Sequence, residues 1–175
     1  MAPIVVIFLR LLVPIGILRW PFWGALLAIA ADAADVILLD AFGWGFFAGQ
    51  DYHAIDKLFD TYYLALEVYV AWSWRDILAR NVSLTLFFWR LVGVIVFEVT
   101  RVRQVILFAP NIFENFYLII TGLKQFLPGF TVDSRKKLWV ILAIAAIPKI
   151  AQEYIMHFME FPTWAFIKHN IFRWR

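Results

Sequence analysis

The chain has 175 residues, of which 63% are hydrophobic and 17% charged, with a formal net charge of +3 and a mean hydropathy of +0.77. A soluble domain of this length needs a polar shell and usually carries roughly 25% charged residues, so composition excludes that class and points to one membrane domain over residues 1–175. The absence of cysteine excludes disulfides and thiolate metal sites, and scattered basic residues, with Arg135-Lys136-Lys137 the one tight run, exclude a nucleic-acid stripe.

A bilayer-crossing helix needs roughly 20 mainly apolar residues. The first such run, 4–20, carries Arg10 and Pro14. Arg10 interrupts its apolar core and no small-residue cleavage site follows, so it reads as a mature helix rather than a signal peptide. The second run, 22–41, starts after Pro21 and carries Asp32, Asp35 and Asp40. A loop with Gly43, Gly45 and Gly49 leads to the third, 55–74, with Asp56, Asp60 and Glu67. The fourth, 82–100, follows Arg75-Asp76 and holds Arg90 and Glu98. The fifth, 104–122, follows Arg101 and Arg103 and holds Asn111, Glu114 and Asn115. The sixth, 138–158, follows Pro128-Gly129 and a charge run, and holds Lys149, Gln152, Glu153 and His157. Many tryptophans, such as Trp20, Trp23, Trp72, Trp74 and Trp139, stand near the ends of these runs, where amphipathic rings favour the headgroup layer. The expectation is an all-α, multi-pass bundle of six transmembrane helices, run up and down with both termini on one side. Counting basic residues on the two faces does not fix its orientation.

Charge inside such helices is costly and marks function or pairing. Asp32 and Asp35 are three residues apart, Asp56 and Asp60 four apart, and Glu67 seven further on, so each set shares a helical face. The two sets flank one loop and are expected to converge near one membrane face. Four converging aspartates repel unless some are protonated or cations neutralise them. An all-carboxylate donor set without cysteine suits Mg²⁺ or Mn²⁺; the plainer reading pairs the aspartates with Arg10, Arg90 or Lys149 as interhelical glue. Arg10, Arg90, Lys149 and Glu153 are candidate substrate contacts or ion-pair partners, with Arg90–Glu67 and Lys149–Glu153 as pairings to test. His53 beside the aspartates reads as a loop histidine, and His157 lacks a second histidine at ligand spacing.

The stretch Asp32-Ala-Ala-Asp35 followed by Asp56-Lys-Leu-Phe-Asp60 resembles the CDP-alcohol phosphatidyltransferase superfamily, whose second and third membrane helices carry D-x-x-D-G-x-x-A-R and G-x-x-x-D-x-x-x-D. Arg10 and Pro14 are similar to an Arg and Pro on the family's first helix. The chain keeps the four-aspartate skeleton, while Val36, Leu39-Asp40 and Tyr52 replace the glycines and the A-R pair. The resemblance implies a six-helix fold, Asp32, Asp35, Asp56 and Asp60 as ligands of Mg²⁺ or Mn²⁺, and Asp60 also as general base. It further implies a metal-dependent transfer in which an alcohol displaces CMP from a CDP-linked lipid. Two other functions compete: a non-catalytic scaffold or subunit of a larger membrane complex, and an ion or proton carrier. Expected partners are membrane lipids, with a homodimer or larger complex left open, and no nucleic acid.

Overall fold

A computed structural model describes residues 2–44, 47, 52–102, 105 and 108–155, without the side chains of residues 52–54. Among these residues it is all-helical, with α1 (Ala2–Leu12), a 3-10 segment (Val13–Leu18), α2 (Pro21–Phe42), α3 (Tyr52–Trp72), α4 (Ile77–Thr100), α5 (Ile112–Phe126) and α6 (Arg135–Glu153).

The second, third and fourth apolar runs correspond to α2, α3 and α4, with α4 starting five residues earlier than the sequence suggests. The first run breaks in two. Pro14 has no N–H to give and its ring crowds the carbonyl four residues back, that of Arg10. The α-helix therefore stops at Leu12 and the chain continues as a 3-10 turn. The fifth run starts at Ile112, after Pro110 and the N-cap Asn111. At 1.5 Å per residue its 15 residues reach about 22 Å, short of a hydrocarbon core of about 30 Å. The sixth run becomes α6, with three basic residues at its start and Pro148 inside. Two helices, α2 and α4, are long and apolar enough to cross a membrane. α3 has the length but spends it on Asp56, Lys57, Asp60 and Glu67. The expectation that both termini share one side turns on residues 156–175, which lie outside those described.

The 3-10 segment lies against α2 and α3, α1 against α2, α3 against α4, and α5 against α4, α2 and α6. Its approach to α2 depends on Gly24: a Cβ there would lie 2.5 Å from the Gly16 carbonyl carbon and 2.6 Å from Ile17 Cα. An aromatic core joins α4 and α5, with Phe87 and Phe113 edge to face at 5.6 Å and Tyr117 stacked on Trp74 at 5.6 Å. At the far end Asp76 caps α4 by accepting from the Ala79 N–H, while its other oxygen accepts from the Val132 N–H at 2.6 Å, tying the α3–α4 turn to the α5–α6 loop. Polarity is distributed against the usual soluble pattern. Arg10, Asp35, Glu67, Ser83, Asn111, Glu114 and Glu153 are buried, whereas Phe8, Leu27, Phe88, Trp89, Val99 and Ile147 face outward.

Candidate functional site

The four aspartates meet on one arginine. Arg10 lies in the last turn of α1, just before the break that Pro14 causes. Its guanidinium enters between α2 and α3 and is 2% exposed. Nη1 donates to Asp35 Oδ2 at 3.1 Å and contacts Asp32 Oδ1. Nη2 donates to Asp60 Oδ1 at 2.7 Å, to Asp56 Oδ1 at 3.2 Å and to the Asp56 carbonyl at 3.3 Å. The Phe59 ring lies beside it, 5.6 Å from the guanidinium carbon. The geometry follows from helical spacing: Asp32 and Asp35 present one turn of α2, and Asp56 and Asp60 one turn of α3. A small apolar cluster of Ala2, Val6, Leu39 and Phe47 packs beside it and holds α1 to the second half of α2.

One guanidinium thus stands against four carboxylates. The Asp35 side chain is as buried as Arg10, while those of Asp32, Asp56 and Asp60 are each about one third exposed, at 36, 32 and 33%. Oxygens of Asp32, Asp35 and Asp56 all lie within 4.8 Å of one another, a spacing at which one cation can touch all three. Asp60 stands apart from that triad. Its Oδ1 is held by Arg10, and Oδ2 carries no hydrogen bond among the described residues. An all-oxygen set with excess negative charge fits a hard divalent cation. Arg10 competes for the same oxygens. The cluster also sits deeper than the sequence suggests, since Asp32 and Asp35 lie halfway along α2 rather than at its end.

The remaining polar residues form other groups. Glu114 on α5 accepts from Tyr63 Oη at 3.1 Å and from Asn111 Nδ2 at 2.7 Å, and it lies 3.5 Å from Lys149 Nζ. Lys149 therefore joins α6 to α5 through Glu114. Asn115 adds a second tie by donating to the Ala145 carbonyl at 3.1 Å. Glu153 is buried at the end of α6. Lys57 donates to Glu98 at 2.8 Å and lies over the Phe97 ring. The expected Arg90–Glu67 pair does not form: Arg90 donates to the Ala109 carbonyl at 2.9 Å, and both oxygens of the fully buried Glu67 lack a partner among the described residues. Asp40 accepts from Trp44 Nε1. The side chain of His53, and His157 entirely, lie outside the described residues.

Tyr63, which the sequence reading missed, belongs to the Glu114 group and not to the aspartate cluster. It lies three residues after Asp60 and four before Glu67, on their shared face, and that spacing was a signal available in the sequence. Compared with known protein families, curated proteins and solved structures, the chain finds no match.

Proposed function

We propose that the chain is a multi-pass membrane protein whose Arg10-centred aspartate cluster is a divalent-cation centre. In this reading it is a metal-dependent transferase on a phospho-linked lipid, divergent from the CDP-alcohol phosphatidyltransferases. The observation that carries the reading is the charge imbalance: four carboxylates from two helices around one guanidinium, three of them with oxygens within 4.8 Å of each other. The outward apolar and inward charged side chains support the membrane setting, because lipid reverses the polarity that water imposes.

Asp32, Asp35 and Asp56 would hold Mg²⁺ or Mn²⁺, with Asp60 beside them. Bound there, the ion would neutralise the phosphate charge of the donor lipid. Arg10 positions the four carboxylates and offers N–H donors at the same place. Asp60 keeps one oxygen outside the guanidinium's grip and accepts the proton of the attacking alcohol. The alcohol oxygen bonds to phosphorus as the phosphorus–oxygen bond to CMP breaks, and CMP leaves with that electron pair. Burial of Arg10 and Asp35 keeps water from the inner side of the cluster.

The direct pairing by Arg10 favours one second reading, a non-catalytic scaffold in which the cluster braces α1 against α2 and α3 and the protein acts in a homodimer or larger membrane complex. The two separate on CMP release from CDP-diacylglycerol with Mn²⁺ and a panel of alcohols. The expected result is Mn²⁺-dependent release that falls roughly 10²–10⁴-fold in Asp60→Asn, the range for loss of a general base. Equal release by wild type and Asp60→Asn would remove Asp60 from the chemistry. No release with any alcohol, together with no Mn²⁺ bound, would leave the scaffold.

A further inference from the structure

Arg90 lies midway along α4, one of the two helices suited to crossing a membrane. Its guanidinium makes one hydrogen bond, to the neutral Ala109 carbonyl, and has no carboxylate partner among the described residues. The nearby cation Lys57 is already matched by Glu98. A charged side chain at that depth is costly unless it is paired or lines a cavity. Arg90 lines one. A narrow cleft with an enclosed volume of about 20 Å³ lies between α3 and α4 beside the N-terminus of α5, bordered by Lys57, Asp60, Thr61, Arg90 and Asn111. That volume has room for one water-sized group such as a hydroxyl, so anything larger stays at the open mouth. Burial grades across it: Arg90 is half-buried, while Asn111 is 6% exposed. Asn111 is polarised by its neighbours. Its Nδ2 donates to Glu114, which orients the amide, and its buried Oδ1 accepts nothing among the described residues.

An unneutralised arginine at the mouth asks for an anion, and a guanidinium fork suits phosphate oxygens. A buried amide oxygen with no donor asks for a hydroxyl or N–H. We propose that this cleft binds a phosphate group bearing a neighbouring hydroxyl, the phosphate on Arg90 and the hydroxyl on Asn111 Oδ1. Asp60 borders the same cleft, so an alcohol held there stands next to the carboxylate assigned as base. That catalytic meaning rests on the function proposed above; the binding does not. Such a group is carried by a lipid headgroup, while a free phosphate ion offers the anion alone.

Binding is measured by calorimetry on the full chain in nanodiscs of zwitterionic lipid and in metal-free buffer, so that failure of the cation centre leaves this result readable. The probes are inorganic phosphate and a short-chain lysophosphatidic acid, which joins a phosphate monoester to a free hydroxyl. Arg90→Gln should weaken both about tenfold to a hundredfold, the loss of a bond to a charged group, while Gln can still donate to Ala109. Asn111→Ala should weaken only the lysophosphatidic acid, and it serves as the second test where Arg90→Gln does not fold. Tighter binding of the lysophosphatidic acid assigns the cleft to a lipid headgroup; equal binding assigns it to free phosphate and confines the claim to Arg90. Wild-type protein that binds neither probe, or Arg90→Gln that binds both as wild type does, overturns the proposal. Asp60→Asn that loses CMP release but keeps lysophosphatidic acid binding separates the cleft from the cation centre.

Discussion

Arg10→Gln isolates what one guanidinium does for four carboxylates. The substitution removes a 2%-exposed cation with hydrogen bonds of 2.7–3.2 Å to three aspartates and a contact to the fourth, and leaves those carboxylates facing one another across α2 and α3. Removing one partner of a buried ion pair costs about 3–5 kcal/mol. Three of the four aspartates are a third exposed and can draw on solvent, so the lower end, about 3 kcal/mol, is expected here. Glutamine retains a donor amide, which separates the effect of charge from that of shape. The same change removes the competitor for the triad of Asp32, Asp35 and Asp56, so Mn²⁺ should bind at least about tenfold more tightly, equivalent to about 1.4 kcal/mol. The assay is thermal unfolding in detergent, with and without Mn²⁺, alongside Mn²⁺ titration by electron paramagnetic resonance. Arg10→Gln should unfold earlier in metal-free buffer and regain most of the loss with Mn²⁺. An unchanged midpoint, or a midpoint that falls without any response to Mn²⁺, refutes the view that Arg10 and a divalent ion compete for one set of oxygens.

Other consequences are simpler to read. Both Glu67 oxygens are buried without a partner among the described residues, so Glu67→Leu should raise the unfolding midpoint, corresponding to about 1–3 kcal/mol for an unsatisfied polar group removed; a fall would show that Glu67 has a partner. Gly24→Ala places a methyl against the backbone of Gly16 and Ile17, which cannot rotate away as a side chain can, so destabilisation of about 1–3 kcal/mol is expected from overpacking. Unchanged stability in that variant would mean that the 3-10 segment does not pack on α2 as described. The Lys137 ammonium donates to Asp133 at 2.8 Å and, ahead of any other cause, holds that exposed carboxyl below the ordinary aspartate value. A depressed folded value means that the linked stability is present above the unfolded value and is lost as pH falls through the folded one. The Asp133 carboxyl resonance should therefore titrate at higher pH in Lys137→Met than in wild type, and identical midpoints would contradict the bond.

How much of this was legible depends on the range of the interaction. The i, i+3 and i, i+4 spacing of the aspartates is local, so their two shared faces could be read from the chain, as could α2 and α4 from their apolar runs. Pro14 and Pro110 were visible as residues, but a window counting apolar side chains does not register a missing N–H, and the first and fifth runs were therefore read as longer helices than they are. That a cation could meet the aspartates was legible, with Arg10 among three candidates, but which of the three does so was not. Arg10, Arg90 and Lys149 look alike in a sequence; only the packing of α1 on α2 sends Arg10 to the aspartates, and only the turn at Pro110 gives Arg90 a carbonyl in place of Glu67. The depth of the cluster was misread because the loop after Phe42 suggested that α2 ends where its acidic residues lie.

In the membrane setting proposed above, the span of 50 residues between Arg10 and Asp60 also bears on how these helices would enter a bilayer. Synthesis starts at the N-terminus, and at about 5–20 residues per second α1 precedes the first turns of α3 by roughly 3–10 s. Through that interval Arg10 has only Asp32 and Asp35 to meet it, and before α2 emerges it has neither. An arginine at the centre of a lone helix costs about 2.5–3.5 kcal/mol on insertion scales. With the 3-10 segment, α1 belongs to one apolar helical stretch, Ala2–Leu18, and Arg10 sits at its centre. The first helix is then expected to wait at the interface and to take its place late, drawn in when the third supplies Asp56 and Asp60, so that the order of assembly in the membrane departs from the order of synthesis.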